Sequence, residues 1–207
     1  MARPTDTRAR ILAVARELFA RRGVQQTSLR DIAEQLGITK PALYYHFDSR
    51  EALLASIVEP LLADMDAFIG ARESAGPPDL RALLSDYFDL LHRNRELIQM
   101  LVRDLATLGL LDLTTRMLDW RHRLITLLLG PNPALAAQVR AVVAIGGMSD
   151  CTIEFADVPM EKIKTIAVDA ACAALGTPTS PAAPAKPTIP AAPAKLARRP
   201  TPARRKR

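Results

Sequence analysis

The sequence predicts an all-α fold, and three observations predict it. Apolar residues between positions 5 and 175 recur at intervals of three and four, no stretch there holds a convincing period of two, and glycines or prolines punctuate the periodic runs. The expected architecture is a three-helix head over residues 1–50, a helical body over 51–176 and a Pro/Ala/Lys/Arg tail over 177–207. With 49% hydrophobic residues among 207, head and body can bury a core without disulfides or a structural metal.

The elements follow in order. Thr5 or Asp6 is expected to cap a first helix with the apolar face Ile11, Ala15, Leu18 and Phe19, and Gly23 to supply its left-handed stop. Ser28 with Asp31 forms a capping-box pattern opening a second helix, Leu29 to Gln35, and Asp48 with Glu51 is read the same way at the start of a long fourth one. Further helices are expected at about 78–93, 95–108, 112–129, 133–155 and 160–175, separated by Gly76-Pro77-Pro78, Gly109, Gly130-Pro131-Asn132-Pro133 and Pro159.

Charge is distributed unevenly. Residues 1–50 carry nine cations against five acids, residues 51–175 eleven against seventeen, and residues 176–207 eight against none. A mildly acidic body between two basic ends points to a polyanionic partner touched by the termini, nucleic acid first. Eight of the sixteen prolines fall after Gly176, six of them at every third residue from Pro178 to Pro193, which is the polyproline II period. Such a segment cannot bury a core and is expected to be a disordered, semi-rigid spacer. At its tip stand Arg198, Arg199, Arg204, Arg205, Lys206 and Arg207, cations that can add a sequence-independent phosphate term to DNA binding.

The stretch Thr27 to Phe47, TSLRDIAEQLGITKPALYYHF, has the spacing of a helix-turn-helix. Leu29, Ile32, Ala33 and Leu36 give its first helix an inward face, Gly37 can take the positive φ of the turn, and Ile38 plugs the angle between the helices. Thr39 then caps a third helix that tolerates Pro41 in its first turn, and Leu43 with Phe47 holds that helix to the core. Thr39, Lys40, Ala42, Tyr44, Tyr45 and His46 are left facing out, and side chains of these types bond phosphates or base edges in a major groove. The two tyrosines cannot both finish a core, because adjacent helical residues point about 100° apart.

Residues 8 to 58 resemble the DNA-binding head of the TetR family of bacterial transcriptional regulators. The resemblance rests on a glycine after the first helix, Thr-Ser opening the second, Leu-Gly-Ile-Thr at the turn, Leu-Tyr-Tyr-His-Phe, and a basic residue with Glu opening the fourth helix. It implies that Thr39, Lys40, Ala42 and Tyr44 lie at or near base edges, and that Thr27 or Ser28, Tyr45, His46 and Arg50 hold phosphates. Arg50 stands where the family usually has Lys, which keeps the charge and adds a bidentate donor. Arg3, Arg8, Arg21 and Arg22 read either as a basic arm or as solvated helix surface.

One helix-turn-helix reads few base pairs, so specificity calls for two heads on a palindromic operator. The last two helices offer the homodimer interface. After Thr165 the final helix has only Asp169 as a polar group before Gly176, and the helix before it carries Ala137, Ala141, Ala144, Gly146 and Gly147. A four-helix interface of two such pairs is also what the resemblance implies, together with a small apolar or amphipathic ligand in the body. Candidate ligand contacts are Phe88, Met100, Met117, Trp120, His122, Met148 and Phe155, since Met-rich and aromatic linings taken together suit an adaptable pocket, although each apolar one alone reads first as ordinary core. His122 shares a helical stripe with Leu118, Ile125 and Leu129 and reads first as a satisfied core histidine, whereas His92 reads as solvated. Pro60 is expected to kink the fourth helix and to act as the pivot through which ligand binding moves the heads apart.

Other classes are disfavoured. Cys151 and Cys172 lack metal-ligand spacing and read as small buried hydrophobes in a reducing compartment. No cofactor or metal is expected, and an all-α enzyme built on His92 and His122 lacks any nucleophile or metal spacing. The sequence shows neither a signal-peptide pattern nor a run of about 20 apolar residues, so a cytoplasmic location and no membrane partner are expected. The competing expectation is an architectural DNA-binding protein dominated by its basic tail, with no small-molecule sensing.

Overall fold

Capping and burial divide the chain into nine helices among the residues that the computed structural model describes, 4–76, 79–103, 109 and 112–176. They are α1 (Pro4–Arg22), α2 (Leu29–Leu36), α3 (Lys40–Tyr44), α4 (Arg50–Ser74), α5 (Leu80–Arg93), α6 (Arg95–Arg103), α7 (Leu113–Leu129), α8 (Leu135–Glu154) and α9 (Met160–Ala174). The tail, Arg3 and the last residues of the helix expected to reach 108 lie outside the described residues.

In the head, α1 stops at Gly23, whose φ of 88° a side chain would strain and whose amide closes on the Phe19 carbonyl at 2.9 Å. α1 begins at Pro4, so Thr5 and Asp6 are inside its first turn and neither caps it; proline is favoured there because its missing N–H has no intrahelical partner. Ile11, Ala15, Leu18 and Phe19 are buried as the periodicity requires, against Leu29, Ile32 and Leu43 in one continuous core. The capping-box reading at α4 is corrected. Ser49, not Asp48, is the cap, with its side chain accepting from the Ala52 amide at 3.0 Å, because Glu51 sits one residue too early to close a box.

α4 joins the head to the body. Leu53, Leu54, Ile57 and Val58 are buried at its head end and Leu61, Leu62, Met65, Phe68 and Ile69 at its body end. It runs unbroken through Pro60, whose ring lies on the exposed side. α8 and α9 form the most extensive helix pair, and both also pack on α5. On α9 only one face is covered, by Ala167, Val168, Ala171 and Cys172. Ile166, Ala170 and Ala173 stay exposed on the other, as do Val139, Val143 and Gly147 on α8, while Ala141 and Ala144 turn inward to the body.

Candidate nucleic-acid interface and ligand cavity

The recognition segment is held from beneath. Ser28 Oγ accepts from the Asp31 amide at 3.1 Å, and Asp31 Oδ2 accepts from the Ser28 amide at 2.8 Å and from its hydroxyl at 2.7 Å, so α2 starts on a closed capping box. The Ser28 amide and hydroxyl hold the Asp31 carboxyl below its ordinary range. At the far end Gly37, at φ 67°, turns the chain, and the Ile38 amide reaches the Ala33 carbonyl at 3.0 Å. Thr39 Oγ1 accepts from the Ala42 amide at 3.3 Å to start α3.

α3 is pinned by Leu43, which is wholly buried, and by Phe47 just beyond it, whose ring lies under the Arg8 guanidinium at 4.9 Å. Tyr44 and Tyr45 between them are presented outward. Tyr45 is 82% exposed and edge-on to His46 at 5.3 Å, and Tyr44 is 41% exposed with the Lys40 ammonium 5.5 Å from its ring centre. Thr39, Lys40 and Ala42 are exposed beside them, and His46 is half-buried. The result is a short cationic and aromatic ridge with rotatable donors, chemistry suited to phosphates and base edges.

Three expected phosphate contacts are committed elsewhere. Thr27 is buried, and its hydroxyl donates to the Gly23 carbonyl at 2.9 Å, so it shapes the turn and is not at the surface. Ser28 is exposed, but its hydroxyl serves the α2 cap. Arg50 reaches back 3.4 Å to the Val24 and Gln25 carbonyls and 3.3 Å to Gln25 Oε1, clamping the start of α4 to the turn after α1. Of the other basic residues, Arg8 donates to Ser56 Oγ at 3.1 Å and Arg21 pairs with Glu17. Arg22 is exposed.

In the body, α4 to α8 enclose a cavity of about 140 Å³. Its walls include Leu61, Met65, Leu91, Ile98, Met117 and Trp120, with Tyr87, Arg121 and Ser149 as polar groups. Burial pushes the Tyr87 phenol up to about 12, against a smaller opposite pull from Arg121, so it stays a neutral donor. Trp120 Nε1 donates to Asp66 Oδ1 at 2.7 Å, and Arg123 grips Glu73 with two bonds of 2.9 and 2.7 Å, so α7 is strapped to α4 along its length.

Residues 11–57 match the family described as bacterial regulatory proteins, tetR family. Over those residues, less than a quarter of its length, the chain is similar to the DNA-binding head of the TetR family. Among its curated relatives, the transcriptional regulator TtgR of Pseudomonas putida is 37% identical over 90 residues, 42% of this chain and 43% of that protein. The transcriptional repressor KstR2 of Rhodococcus jostii is 43% identical over 58 residues, 28% of each chain. The matched stretch thus spans less than half the length of either relative. A transcriptional regulator of Aquifex aeolicus shares the fold at 22% identity, with a TM-score of 0.65 over 78% of this chain and 95% of that one.

Beyond the TetR-like head, the expected ligand contacts divide. Met117 and Trp120 line the cavity. Phe88, Met100 and Met148 are buried away from its lining as ordinary core, and Phe155, 38% exposed, caps the end of α8. His122 is exposed and not in the core, because the inward stripe of α7 is Leu113, Met117, Trp120 and Leu124, which leaves His122 and Leu118 on the other side. His92 is likewise corrected. It is half-buried and stacked on Phe88 with ring centres 6.3 Å apart, and burial lowers its pKa. Sequence reasoning missed Tyr87 and Arg121; the signal for Tyr87 was a phenol set on the apolar face of α5 between Leu83, Leu84, Leu90 and Leu91.

Proposed function

We propose that the chain is a sequence-specific DNA-binding transcriptional regulator, a homodimeric repressor that a small ligand in the body cavity releases from its operator. The observation that carries the DNA reading is the exposure of Tyr44 and Tyr45, with Thr39 and Lys40, on a short helix whose Leu43 is wholly buried. Energy is spent holding that ridge rigidly in water, which is what a probe of base edges requires. In this reading Thr39, Lys40, Ala42 and Tyr44 face bases, and Tyr45, His46 and Arg50 face phosphates, the last needing to exchange its carbonyl partners. The uncovered apolar faces of α8 and α9 support a twofold dimer and therefore a palindromic operator. A relative whose name is that of a repressor, KstR2, supports repression, and a cytoplasmic location follows from the role.

The test begins with duplexes selected by the protein from random sequence, followed by fluorescence anisotropy on the selected and a scrambled duplex. Preference for the selected palindrome by about 1000-fold or more supports the reading. Equal affinity for both points instead to architectural binding dominated by the basic tail. Sedimentation at micromolar concentration checks the dimer, and a lone protomer overturns it. Shortening the chain after Gly176 is expected to flatten the salt dependence of DNA binding if the eight cations of the tail touch phosphates.

A further inference from the structure

Among the described residues the cavity is apolar except at three side chains, and all three can donate hydrogen bonds. Tyr87 and Ser149 offer hydroxyls, Arg121 offers a cation, and among the described residues no carboxylate lines the walls. Tyr87 is only 6% exposed, its ring tilted against Phe68 at 6.0 Å, and among the described residues its hydroxyl has no hydrogen-bond partner. A buried phenol gains from an acceptor, so an oxygen brought into the cavity beside it is favoured. Arg121 differs from the other arginines of α7. Arg116 pairs with Asp66 and Arg123 with Glu73, while Arg121 has no carboxylate partner among the described residues. It stands beside the inward stripe of Met117, Trp120 and Leu124, with its side chain exposed.

We propose that the cavity binds an amphipathic monocarboxylate, its carboxylate accepting from the Tyr87 hydroxyl and pairing with Arg121, and its apolar body resting on Met65, Leu91 and Trp120. Volume sets the size of that body. About 140 Å³ is close to the roughly 150 Å³ of a cavity that holds one benzene ring. One cation and neutral hydroxyls match a single negative charge, and a doubly charged phosphate would be left under-compensated. A cationic ligand meets Arg121 with no acid among the described lining residues to offset it. This inference rests on the reading of the cavity as the sensory site and adds to it the chemistry sensed.

Trp120 is the one tryptophan of the chain and lines the cavity, so its emission reports on occupancy. Benzoate, benzyl alcohol and benzylammonium are titrated into the full-length protein, by emission and by calorimetry. Benzoate is expected to bind saturably, benzyl alcohol about tenfold or more weakly, and benzylammonium not at all. Tyr87→Phe and Arg121→Gln are each expected to weaken benzoate about fivefold or more with benzyl alcohol unchanged, and Arg121→Lys to retain most of the affinity. Unchanged thermal melting shows that the variants fold. Equal binding of the three probes, undiminished benzoate affinity in both variants, or no benzoate binding up to about 10 mM overturns the inference. Anisotropy on a selected duplex separates the two readings. Benzoate binding without loss of DNA affinity sinks ligand release and leaves the inference standing, whereas release by benzyl alcohol as effective as by benzoate does the reverse.

Discussion

The indole of Trp120 donates to Oδ1 of Asp66 at 2.7 Å, joining the cavity wall to the helix that leaves the head. The other oxygen of Asp66 takes Arg116, whose guanidinium also lies 5.5 Å from the Trp120 ring centre. Displacing the indole is therefore expected to pull on α4, whose first turn carries the Arg50 clamp of the head. Asp66→Ala leaves the N–H of a buried indole unpaired and is expected to cost about 1–3 kcal/mol in urea unfolding. It is also expected to reduce the effect of a bound ligand on DNA affinity. Asp66→Asn keeps an acceptor and loses only a half-exposed ion pair, so a cost under about 1 kcal/mol is expected.

Tyr45 and Leu43 are two residues apart and should separate binding from folding. Tyr45→Ala, at a side chain 82% exposed, is expected to leave the melting temperature nearly unchanged while DNA affinity falls by about tenfold or more. Leu43→Ala empties a wholly buried site and is expected to cost about 2–5 kcal/mol, with DNA binding lost through the unanchored helix. Circular dichroism melts beside anisotropy check the contrast.

Gly37 tests the turn. A Cβ there meets nothing within 4 Å, so the cost of substitution is conformational, from φ 67°. Gly37→Ala is expected to destabilise the head by about 1 kcal/mol and Gly37→Asn by less, since asparagine tolerates the left-handed region. Equal melting for glycine, alanine and asparagine would contradict this account.

Acid should loosen the head and the α4–α7 strap together. Ser28 holds Asp31, and Arg123 holds Glu73, below their ordinary carboxylate ranges. A folded pKa depressed in this way contributes stability that is present above the unfolded value, near 4, and is lost as pH falls through the folded one. Stability measured between about pH 5 and 2 is therefore expected to decline, and less steeply in Asp31→Asn and Glu73→Gln.

The head was legible in the sequence because its determinants are local. Ser28 and Asp31 are three residues apart, as are Thr39 and Ala42, and a capping oxygen, a left-handed glycine and an i, i+4 apolar pair act within one turn of chain. Other features were decided by the tertiary structure, because they depend on residues far apart in sequence. Arg50 finds Val24 across 26 residues, and Trp120 finds Asp66 across 54. Which stripe of α7 faces inward, and hence the placing of His122 outside and of Arg121 at a cavity, was set by packing against α4 and α8, since a helix with apolar residues on more than one side does not state from its own spacing which side is buried.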